Sequence, residues 1–382
     1  MVGRKKPVIA LKYSILFVYC LSILCAAVWS LKKPAYNWDM LPYMGIILSY
    51  DQSDVKIIHR ETYAIARDQI PTVYYKRLID SSNAYRNTMA KNPAFFYSQF
   101  PFYIVKPLYT RAAYLFFRTG ISLPMSTILP SVIAYFFTGL LLFSWIKKYW
   151  NDLYACIASL LIMLSPPLLT VAGLSTPDAL SGLLLFTAAY FLTEKRSVVV
   201  TFIFLLLAIF SRLDNIIPAV FFMSVIFFTN KWSYKISGGK IILLFSILFL
   251  AYFAVSGNTH SFGWSIFYYS AFIKQLNTSY TINNSFDIKG YMELAKSQLI
   301  TGLYFSFVSL FFFLVMLLLW NGTGFDPRKL TIEQMLAITF VVIMTGRFIL
   351  QPLIADRVYI PYYLSVLAFL VKKSSIAINR QL

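Results

Sequence analysis

Long runs of apolar residues recur along almost the whole chain, and they limit the possible folds more than any other feature. Hydrophobic residues make up 59% of the 382 residues, and the mean hydropathy is +0.67. A soluble domain cannot bury so much apolar side chain, so a lipid bilayer must solvate most of it. The pattern therefore predicts a single all-α, multi-pass membrane protein over residues 1–382.

The spacing of these runs predicts about ten transmembrane helices. The first run, 13–31, follows the basic start MVGRKK. It is long and has no small-residue cleavage pattern, so we expect an uncleaved span rather than a signal peptide. The other predicted spans cover residues 121–146, 152–172, 178–193, 197–211, 215–230, 240–257, 298–320, 331–347 and 358–371.

Some of these spans carry unusual features. The runs 178–193 and 197–211 are short, because at ~1.5 Å per residue they cover about 24 Å or less of the ~30 Å hydrocarbon core. Either the bilayer thins there, or Asp178 is recessed in a polar cavity. Pro166-Pro167 is predicted to break the third span, and Pro218 to interrupt the sixth.

The basic residues favour one orientation. Every loop that this topology places in the cytoplasm carries Lys or Arg, whereas the short outer loops carry few. Both termini are therefore predicted to be cytoplasmic, with the chain in the cytoplasmic (plasma) membrane. The inner basic residues are Arg4, Lys5, Lys6, Lys12, Lys147, Lys148, Lys195, Arg196, Lys231, Lys235, Lys240, Arg328, Lys329, Lys372, Lys373 and Arg380.

The segment 32–120 is too long for a connector and too polar to span a membrane, so we interpret it as an extracytoplasmic loop. Its stretches MLPYMGIILSY and VKIIHRETYAIARDQI are typical of amphipathic helices on a membrane surface. Residues 101–120 fit another interfacial helix or the foot of the next span. A second outer loop, 258–297, is rich in aromatic and amide residues, which suits either carbohydrate contact or a membrane-interface belt.

Composition also narrows the possible partners. The net charge is +19, but the basic residues stand beside apolar runs, which favours topology signals and contacts to anionic lipid or phosphate over nucleic acid. Cys20, Cys25 and Cys156 lie inside apolar runs without disulfide or metal spacing. His59 and His260 are far apart, so no histidine metal site and no cofactor are predicted, although a carboxylate site stays open.

The predicted topology places several charged residues together at span ends on the outer side. A carboxylate there can act as a general base, and an arginine can hold a phosphate through two hydrogen bonds. Such a set beside a lipid-accessible cavity suits transfer of a sugar from a lipid phosphate, with Asp39 as the first candidate for catalysis. The residues are Asp39, Asp178, Arg212, Asp214, Arg347, Asp356 and Arg357.

Each of these residues also has a structural interpretation. Asp178 could simply lie in the first turn of a helix, with Thr176 as the N-cap and Pro177 at the first helical position. Arg212 and Asp214 could reach solvent from a span end, and at a spacing of two they would not face one another on a helix. Arg357 could anchor the interface or pair with Asp356. Arg347 and His59 are expected to be structural.

The layout of these residues resembles the GT-C superfamily of integral-membrane glycosyltransferases, especially its protein O-mannosyltransferase and aminoarabinose-transferase branch. YNWDMLPY places Asp39 shortly after the first span, where that branch carries an acidic residue. KPLY, with Lys106, is similar to an element later in the same loop. STPDALSGLLLFTAAYFL, with Asp178, is similar to a Ser/Thr-x-x-Asp-Ala-Leu element. SRLDNIIPAVFF, with Arg212, and DRVYIPYYL, with Arg357, are similar in position.

The resemblance implies an inverting, polyprenyl-phosphate-sugar-dependent transferase whose site is metal-independent or metal-optional. The acceptor would be a lipid or glycan of the cell envelope, and membrane lipids would surround the chain. Asp39 would be the general base, and Asp178 would position the acceptor or support the base. Arg357, Arg212 and Lys106 would hold the donor phosphate, and Asp214 would contact substrate.

Two other functions remain open from the sequence. The same charges could line the path of a transporter or flippase for a lipid-linked sugar or an anion. However, no internal repeat is visible, and the long segment 32–120 is unusual for that class. A non-catalytic partner in envelope assembly is the third possibility.

Overall fold

A computed structural model describes residues 6–234, 236–258, 288–320 and 330–379, without the side chains of residues 6–12, 230–233 and 258. Every regular element within these ranges is a helix, which confirms the all-α prediction for the described part of the chain. The helices are α1 Lys6–Lys32, α2 Met40–Ser49, α3 Val55–Gln69, α4 Thr72–Leu78, α5 Ala84–Lys91, α6 Pro93–Ser98, α7 Pro107–Arg118, α8 Leu123–Ile146, α9 Asp152–Met163, α10 Pro166–Ala172, α11 Asp178–Glu194, α12 Val198–Ser211, α13 Ile216–Ser233, α14 Gly238–Asn258, α15 Ile288–Phe305, α16 Val308–Leu319, α17 Ile332–Leu350 and α18 Asp356–Asn379.

Several of these helices could span a membrane. Four are long and apolar enough to do so: α1 from Tyr13, α8, α14 and α17. Two bent pairs, α9 with α10 and α15 with α16, would raise the number to six among the described residues. The predicted spans 178–193, 197–211, 215–230 and 358–371 form helices α11, α12, α13 and α18. Since α11 and α12 are shorter than a usual span, the count of ten stays a prediction.

The predicted helix breaks at prolines are found at one position and not at another. The predicted break at Pro166-Pro167 is confirmed, because α9 and α10 meet there at 67°. The predicted interruption at Pro218 is wrong. Pro218 is the third residue of α13, where its missing N–H would have had no helical partner. The predicted span 298–320 is not one straight helix, since α15 and α16 meet at 71°.

Helix α11 is the centre of the bundle, where it packs against α8, α12 and α18. Trp145 of α8 is fully buried, with ring centroids 5.2 Å from Phe186 of α11 and 5.8 Å from Phe369 of α18. Helix α11 begins at one acid, Asp178, and ends at another, Glu194, and these two acids give names to the two ends. We call the end with Asp178 the aspartate end and the end with Glu194 the glutamate end.

The segment 32–120 folds into six helices, α2 to α7, beside α8. The prediction that α2 is an amphipathic surface helix is wrong, because Met40 through Leu48 are all buried. A Cβ at Gly45 would lie 2.7 Å from ring atoms of Phe96 and Phe100, so only glycine permits this close packing. Helix α3 is amphipathic, with Ile58, Thr62, Tyr63 and Ala66 on its buried face.

Residues 107–118 form the separate helix α7 rather than the foot of the next span. The chain leaves α7 through Gly120, whose φ of 91° lies in the left-handed region that glycine tolerates. The Tyr109 hydroxyl donates to the Thr127 carbonyl at 2.5 Å, which fixes α7 against α8. This position of α7 brings Lys106, the residue before it, to the aspartate end.

Several predictions lie outside the described residues. They concern most of the loop 258–297 with His260, the inner residues Arg4, Lys5, Lys235, Arg328, Lys329 and Arg380, and the side chains of Lys6, Lys12 and Lys231.

Candidate functional site

Asp178 is the first residue of α11, and its side chain is only 3% exposed. The proposed cap by Thr176 is wrong, since Pro177 occupies the N-cap position and no side chain caps the helix. The helix N-terminus favours a carboxylate there, and two guanidinium groups supply the opposite charge. Arg212 donates to Asp178 Oδ1, and the Arg357 Nε lies 3.2 Å from Oδ2.

Arg212 and Asp214 lie in a break between α12 and α13. Arg212 has extended backbone, with φ −154° and ψ 122°, and a single 3₁₀ turn follows it. The expectation that these side chains do not face one another is wrong, because the segment is not α-helical. The Arg212 Nε and Nη2 donate to the two oxygens of Asp214 at 3.1 and 3.0 Å. Arg212 is therefore held between two carboxylates instead of reaching out to solvent.

Arg347 ends in the same cluster, from the last turn of α17. Its side chain is 8% exposed and donates to Asp214 Oδ2. Arg212 and Arg347 thus share one carboxylate, so both are committed to pairs within the protein. The sequence places Arg347 in the outer charged set and predicts a structural role for it, which agrees with this buried pair.

Arg357 is the cation of this cluster with the most freedom. Its side chain is 38% exposed, and within the described ranges Asp178 is the single carboxylate within 4.0 Å of it. The proposed pair with Asp356 is wrong. Asp356 instead accepts hydrogen bonds from the Phe307 N–H at 3.1 Å and the Tyr363 hydroxyl at 2.9 Å. Among the described residues the two Nη groups of Arg357 hold no further carboxylate, so they can bind another anion.

Asp39 stands at the start of α2, half-buried and without an ion pair within the described part of the chain. Its two oxygens accept hydrogen bonds from the Asn37 amide at 3.1 Å and the Tyr103 hydroxyl at 3.2 Å. Neither donor was identified from the sequence. Tyr103 is 64 residues away, and only the folding of the whole segment brings it to Asp39.

Backbone contacts tie Asp39 to the chain that leads into α11. The Ser175 N–H donates to the Asn37 Oδ1 at 2.8 Å, and the Ala35 N–H donates to the Gly173 carbonyl at 3.0 Å. Between these contacts Tyr36 has a φ of 43°, a conformation that costs a non-glycine residue about 1–3 kcal/mol. The segments that carry Asp39 and Asp178 are therefore joined within three residues of Asp178.

Lys106 lies between the Asp39 and Asp178 parts of the site. Its Nζ is 5.3 Å from the ring centroid of Tyr43 and 4.8 Å from that of Tyr103, and it forms no ion pair within the described ranges. Burial lowers the pKa of Lys106 to about 8, although attraction by Asp39 and Asp178 opposes the shift. Lys106 therefore provides a positive charge without a fixed carboxylate partner.

A narrow cleft opens beside Asp178 and Arg357, between α8, α10, α11 and α18. Its cavity volume is about 20 Å³, and the empty space reaches about 320 Å³ only when the open solvent at its mouth is included. Apart from the two charged residues, the walls are mostly apolar, as at Leu168 and Ile360. An open groove of about 670 Å³ between α8, α11 and α12 shares Leu183 with this cleft. Leu183 lines both, so these two apolar hollows lie next to each other along α8 and α11, and we call them together the apolar path.

His59 belongs to the packing of the segment 32–120. Its Nε2–H donates to the Met89 carbonyl at 3.0 Å, and its ring lies beside those of Tyr63 and Phe96. Burial lowers the pKa of His59, which favours the neutral ring. No group of three or more His, Cys, Asp or Glu that could hold a metal ion occurs within the described ranges.

The geometry thus brings together the residues that the sequence nominated for the site, apart from Asp356, which contacts Phe307 and Tyr363 instead. Asp178, Arg212, Asp214 and Arg357 are in direct contact, and Lys106 and Asp39 join them through aromatic and backbone contacts. Comparisons with protein-family models, with curated proteins and with solved structures found no match for this chain.

Proposed function

We propose that this chain is a membrane glycosyltransferase that moves a sugar from a polyprenyl-phosphate donor to a lipid or glycan acceptor of the cell envelope. One observation carries the proposal. Among the described residues, the aspartate end holds a carboxylate without an ion pair, Asp39, and two cations that can bind a further anion, Lys106 and Arg357, beside an apolar cleft. A lipid phosphate needs the cations and the cleft, and group transfer needs the carboxylate.

The donor phosphate would lie between Arg357 and Lys106. Arg357 offers its two Nη groups, and Lys106 offers an ammonium that no carboxylate of the described ranges holds. Arg212, which the sequence also nominated for the phosphate, is occupied by Asp178 and Asp214. We therefore give Arg212 and Asp214 the task of holding Asp178, which in turn orients Arg357. The prenyl chain would follow the apolar path past Leu183.

Asp39 would act as the general base. Its carboxylate takes the proton of the acceptor hydroxyl, and the acceptor oxygen forms a bond to the anomeric carbon from the face opposite the phosphate. The bond between that carbon and the phosphate oxygen breaks, and polyprenyl phosphate leaves with its charge balanced by Arg357 and Lys106. The product is an inverted glycoside, and Asp39 returns its proton to water. The Asn37 and Tyr103 hydrogen bonds keep the carboxylate oriented.

The positive charges support the orientation that this function needs. The described lysines and arginines at the glutamate end include Lys147, Lys148, Lys195, Arg196, Lys372 and Lys373. Because basic loops stay in the cytoplasm, the aspartate end would face outward, with both termini inside and ten spans in the cytoplasmic membrane. A lipid-linked donor suits that side, where soluble nucleotide sugars are absent.

The test is mass spectrometry of lipid-linked sugars and envelope glycans in a deletion strain. We expect the strain to accumulate one polyprenyl-phosphate sugar and to lack one sugar modification. Wild-type chain should restore both, and an Asp39→Asn variant produced at the same level should restore neither. Unchanged lipid-linked sugars and glycans in the deletion strain would contradict the proposed function.

A second candidate, a transporter or flippase of a lipid-linked sugar or an anion, is favoured by one observation. Helices α11, α17 and α18 carry ion pairs at both ends of the bundle, as an alternating-access protein with two gates needs. Flux of a lipid-linked sugar across proteoliposomes without any covalent product would identify that activity.

A further inference from the structure

The glutamate end contains a second buried ion-pair network that the proposed chemistry does not use. The Glu194 side chain is 4% exposed and accepts hydrogen bonds from Lys148 Nζ at 2.5 Å, the Tyr149 hydroxyl at 2.7 Å and Lys372 Nζ at 3.2 Å. Lys372 Nζ also donates to Glu333 at 2.6 Å. The network thus joins the ends of α8, α11 and α18 to the start of α17.

The same helices carry the charges of the aspartate end. Each of α11, α17 and α18 has one charged residue in each network, and the separations within the three helices are nearly equal. Sliding α18 by one turn, ~5.4 Å, would separate its pairs at both ends at once. At ~1.5 Å per residue, the separations are about 24 Å for Asp178 and Glu194, 21 Å for Glu333 and Arg347, and 22 Å for Arg357 and Lys372.

We propose that Lys372 and Glu194 are positioning residues for Arg357: their ion pair fixes the axial register of α18 against α11 and so sets the Arg357–Asp178 contact. Among the described residues Arg357 has one carboxylate partner, and its side chain is more than one-third exposed, so its local contacts alone hold it weakly. The other end of α18 is held more firmly. Besides Lys372, the Lys373 Nζ donates to the carbonyls of Leu317, Leu318 and Trp320 at 2.5–3.0 Å.

The middle of the helix pair transmits this register. Pro361 of α18 packs directly against Gly182 of α11, where a Cβ on the glycine would lie 3.7 Å from the proline Cδ. Phe369 of α18 and Phe186 of α11 both pack against the Trp145 ring of α8. Close-packed contacts of this kind move as units rather than deforming gradually.

The first measurement reports the register without reference to activity. Spin labels at Leu353→Cys, next to the start of α18, and Leu115→Cys on α7 are placed at exposed positions in a background without Cys20, Cys25 and Cys156. We expect Lys372→Met to shift or broaden the label distance at the aspartate end. Lys195→Met, which removes an exposed charge next to Glu194, should leave the distance unchanged, and Lys372→Arg should preserve it.

The second measurement is ligand binding at Arg357. The choice of polyprenyl phosphate as the ligand rests on the proposed function, whereas the label distance does not. Binding of polyprenyl phosphate should weaken about tenfold in Lys372→Met and stay unchanged in Lys195→Met. Because Lys372 would act through Arg357, adding Lys372→Met to Arg357→Met should cost less than about twofold more. Additive losses, or an unchanged label distance in Lys372→Met, would overturn the inference.

The two proposals fail in different ways. If the wild-type chain does not bind polyprenyl phosphate, the proposed function fails while the label distance still decides the register. If Lys372→Met does not fold, Glu194→Gln removes the same ion pair and is measured in the same way. Glu333→Gln, which keeps the Lys372–Glu194 pair, should leave the label distance unchanged. An unchanged distance in Glu194→Gln would overturn the inference.

Discussion

The two ends of the helical bundle contain similar ion-pair networks but leave different groups unsatisfied. At the glutamate end, Glu194 and Glu333 share Lys372, and Lys148 completes the pairs of Glu194. At the aspartate end, Asp178 and Asp214 are paired in the same manner. That end also holds Asp39 and Lys106, which have no opposite charge within 4.0 Å in the described ranges.

This difference separates stabilising from reactive charges. A buried carboxylate with two cationic partners is fixed in its charge state and its position, so it serves the fold. A carboxylate and an ammonium that lie in the same cluster without pairing are free to exchange a proton or to bind an anion. The aspartate end combines both kinds, so its ion pairs form a rigid frame around the two free groups.

Substitution of Asp39 should have the largest effect on activity. Asp39→Asn keeps the shape and the Tyr103 hydrogen bond but removes the base, so the transfer rate should fall by about 10²–10⁴. The rate is measured with purified protein and its lipid-linked donor. Asp51→Asn, which removes a more exposed carboxylate of the same segment, should keep the wild-type rate. Equal losses in both variants would show that Asp39 has no special role.

Removing one acid from each end tests whether both networks support the fold equally. Asp178→Asn leaves Arg357 without its carboxylate and Arg212 with Asp214 alone, and Glu194→Gln leaves Lys148 without its carboxylate and Lys372 with Glu333 alone. Each should therefore lower the free energy of unfolding by about 1.5–3 kcal/mol, the usual value of a hydrogen bond to a charged group. Denaturant unfolding in detergent measures both losses. Asp152→Asn breaks the more exposed pair with Lys147 and should cost about 1 kcal/mol or less. An unchanged free energy of unfolding in Asp178→Asn would show that the ion pairs of the aspartate end do not form a rigid frame.

Arg357→Lys tests the two-pronged phosphate contact. Lysine keeps the charge but loses the planar fork, so the KM for the donor should rise about tenfold with little change in kcat. Arg212→Lys, at a residue occupied by two carboxylates, should lower stability rather than raise the donor KM. A higher KM in Arg212→Lys alone would reverse the two assignments. Initial rates over a range of donor concentrations distinguish the outcomes.

The smallest predicted effect is a pH dependence from Lys106. Because its pKa is lowered to about 8, the ammonium is present below that pH and is lost as the pH rises through it. If the ammonium binds the donor phosphate, kcat/KM should fall above about pH 8, since kcat/KM reports the free enzyme. Lys106→Arg should move this decline to higher pH. A decline at the same pH in Lys106→Arg would assign it to another group.

Much of the charged cluster could be predicted because charge and hydropathy patterns are local signals. The alternation of apolar runs with basic loops placed Asp39, Asp178, Arg212 and Arg357 at one end, and the structure brings them together there. The helices α11, α12, α13 and α18 follow the predicted runs closely. How many of these helices cross the membrane depends on where the bilayer lies, and contacts between helices do not determine that.

The failures come from features that depend on distant residues or on breaks in the helices. Arg212 and Asp214 face one another because the chain leaves the helix for a 3₁₀ turn there, and two-residue spacing gave no sign of it. Tyr103 reaches Asp39 through the fold of the whole segment. Helix α2 was read as amphipathic, although its MLPYMGIILS sequence is apolar on all sides and could have indicated burial.

The most direct test of the central claim is a structure of the protein with bound polyprenyl phosphate, determined by electron cryo-microscopy in a lipid nanodisc. The account predicts phosphate density within hydrogen-bonding distance of both Lys106 and Arg357, with the prenyl chain in the cleft between α8 and α11. Phosphate bound among the lysines of the glutamate end, with no ligand beside Asp178, would contradict it.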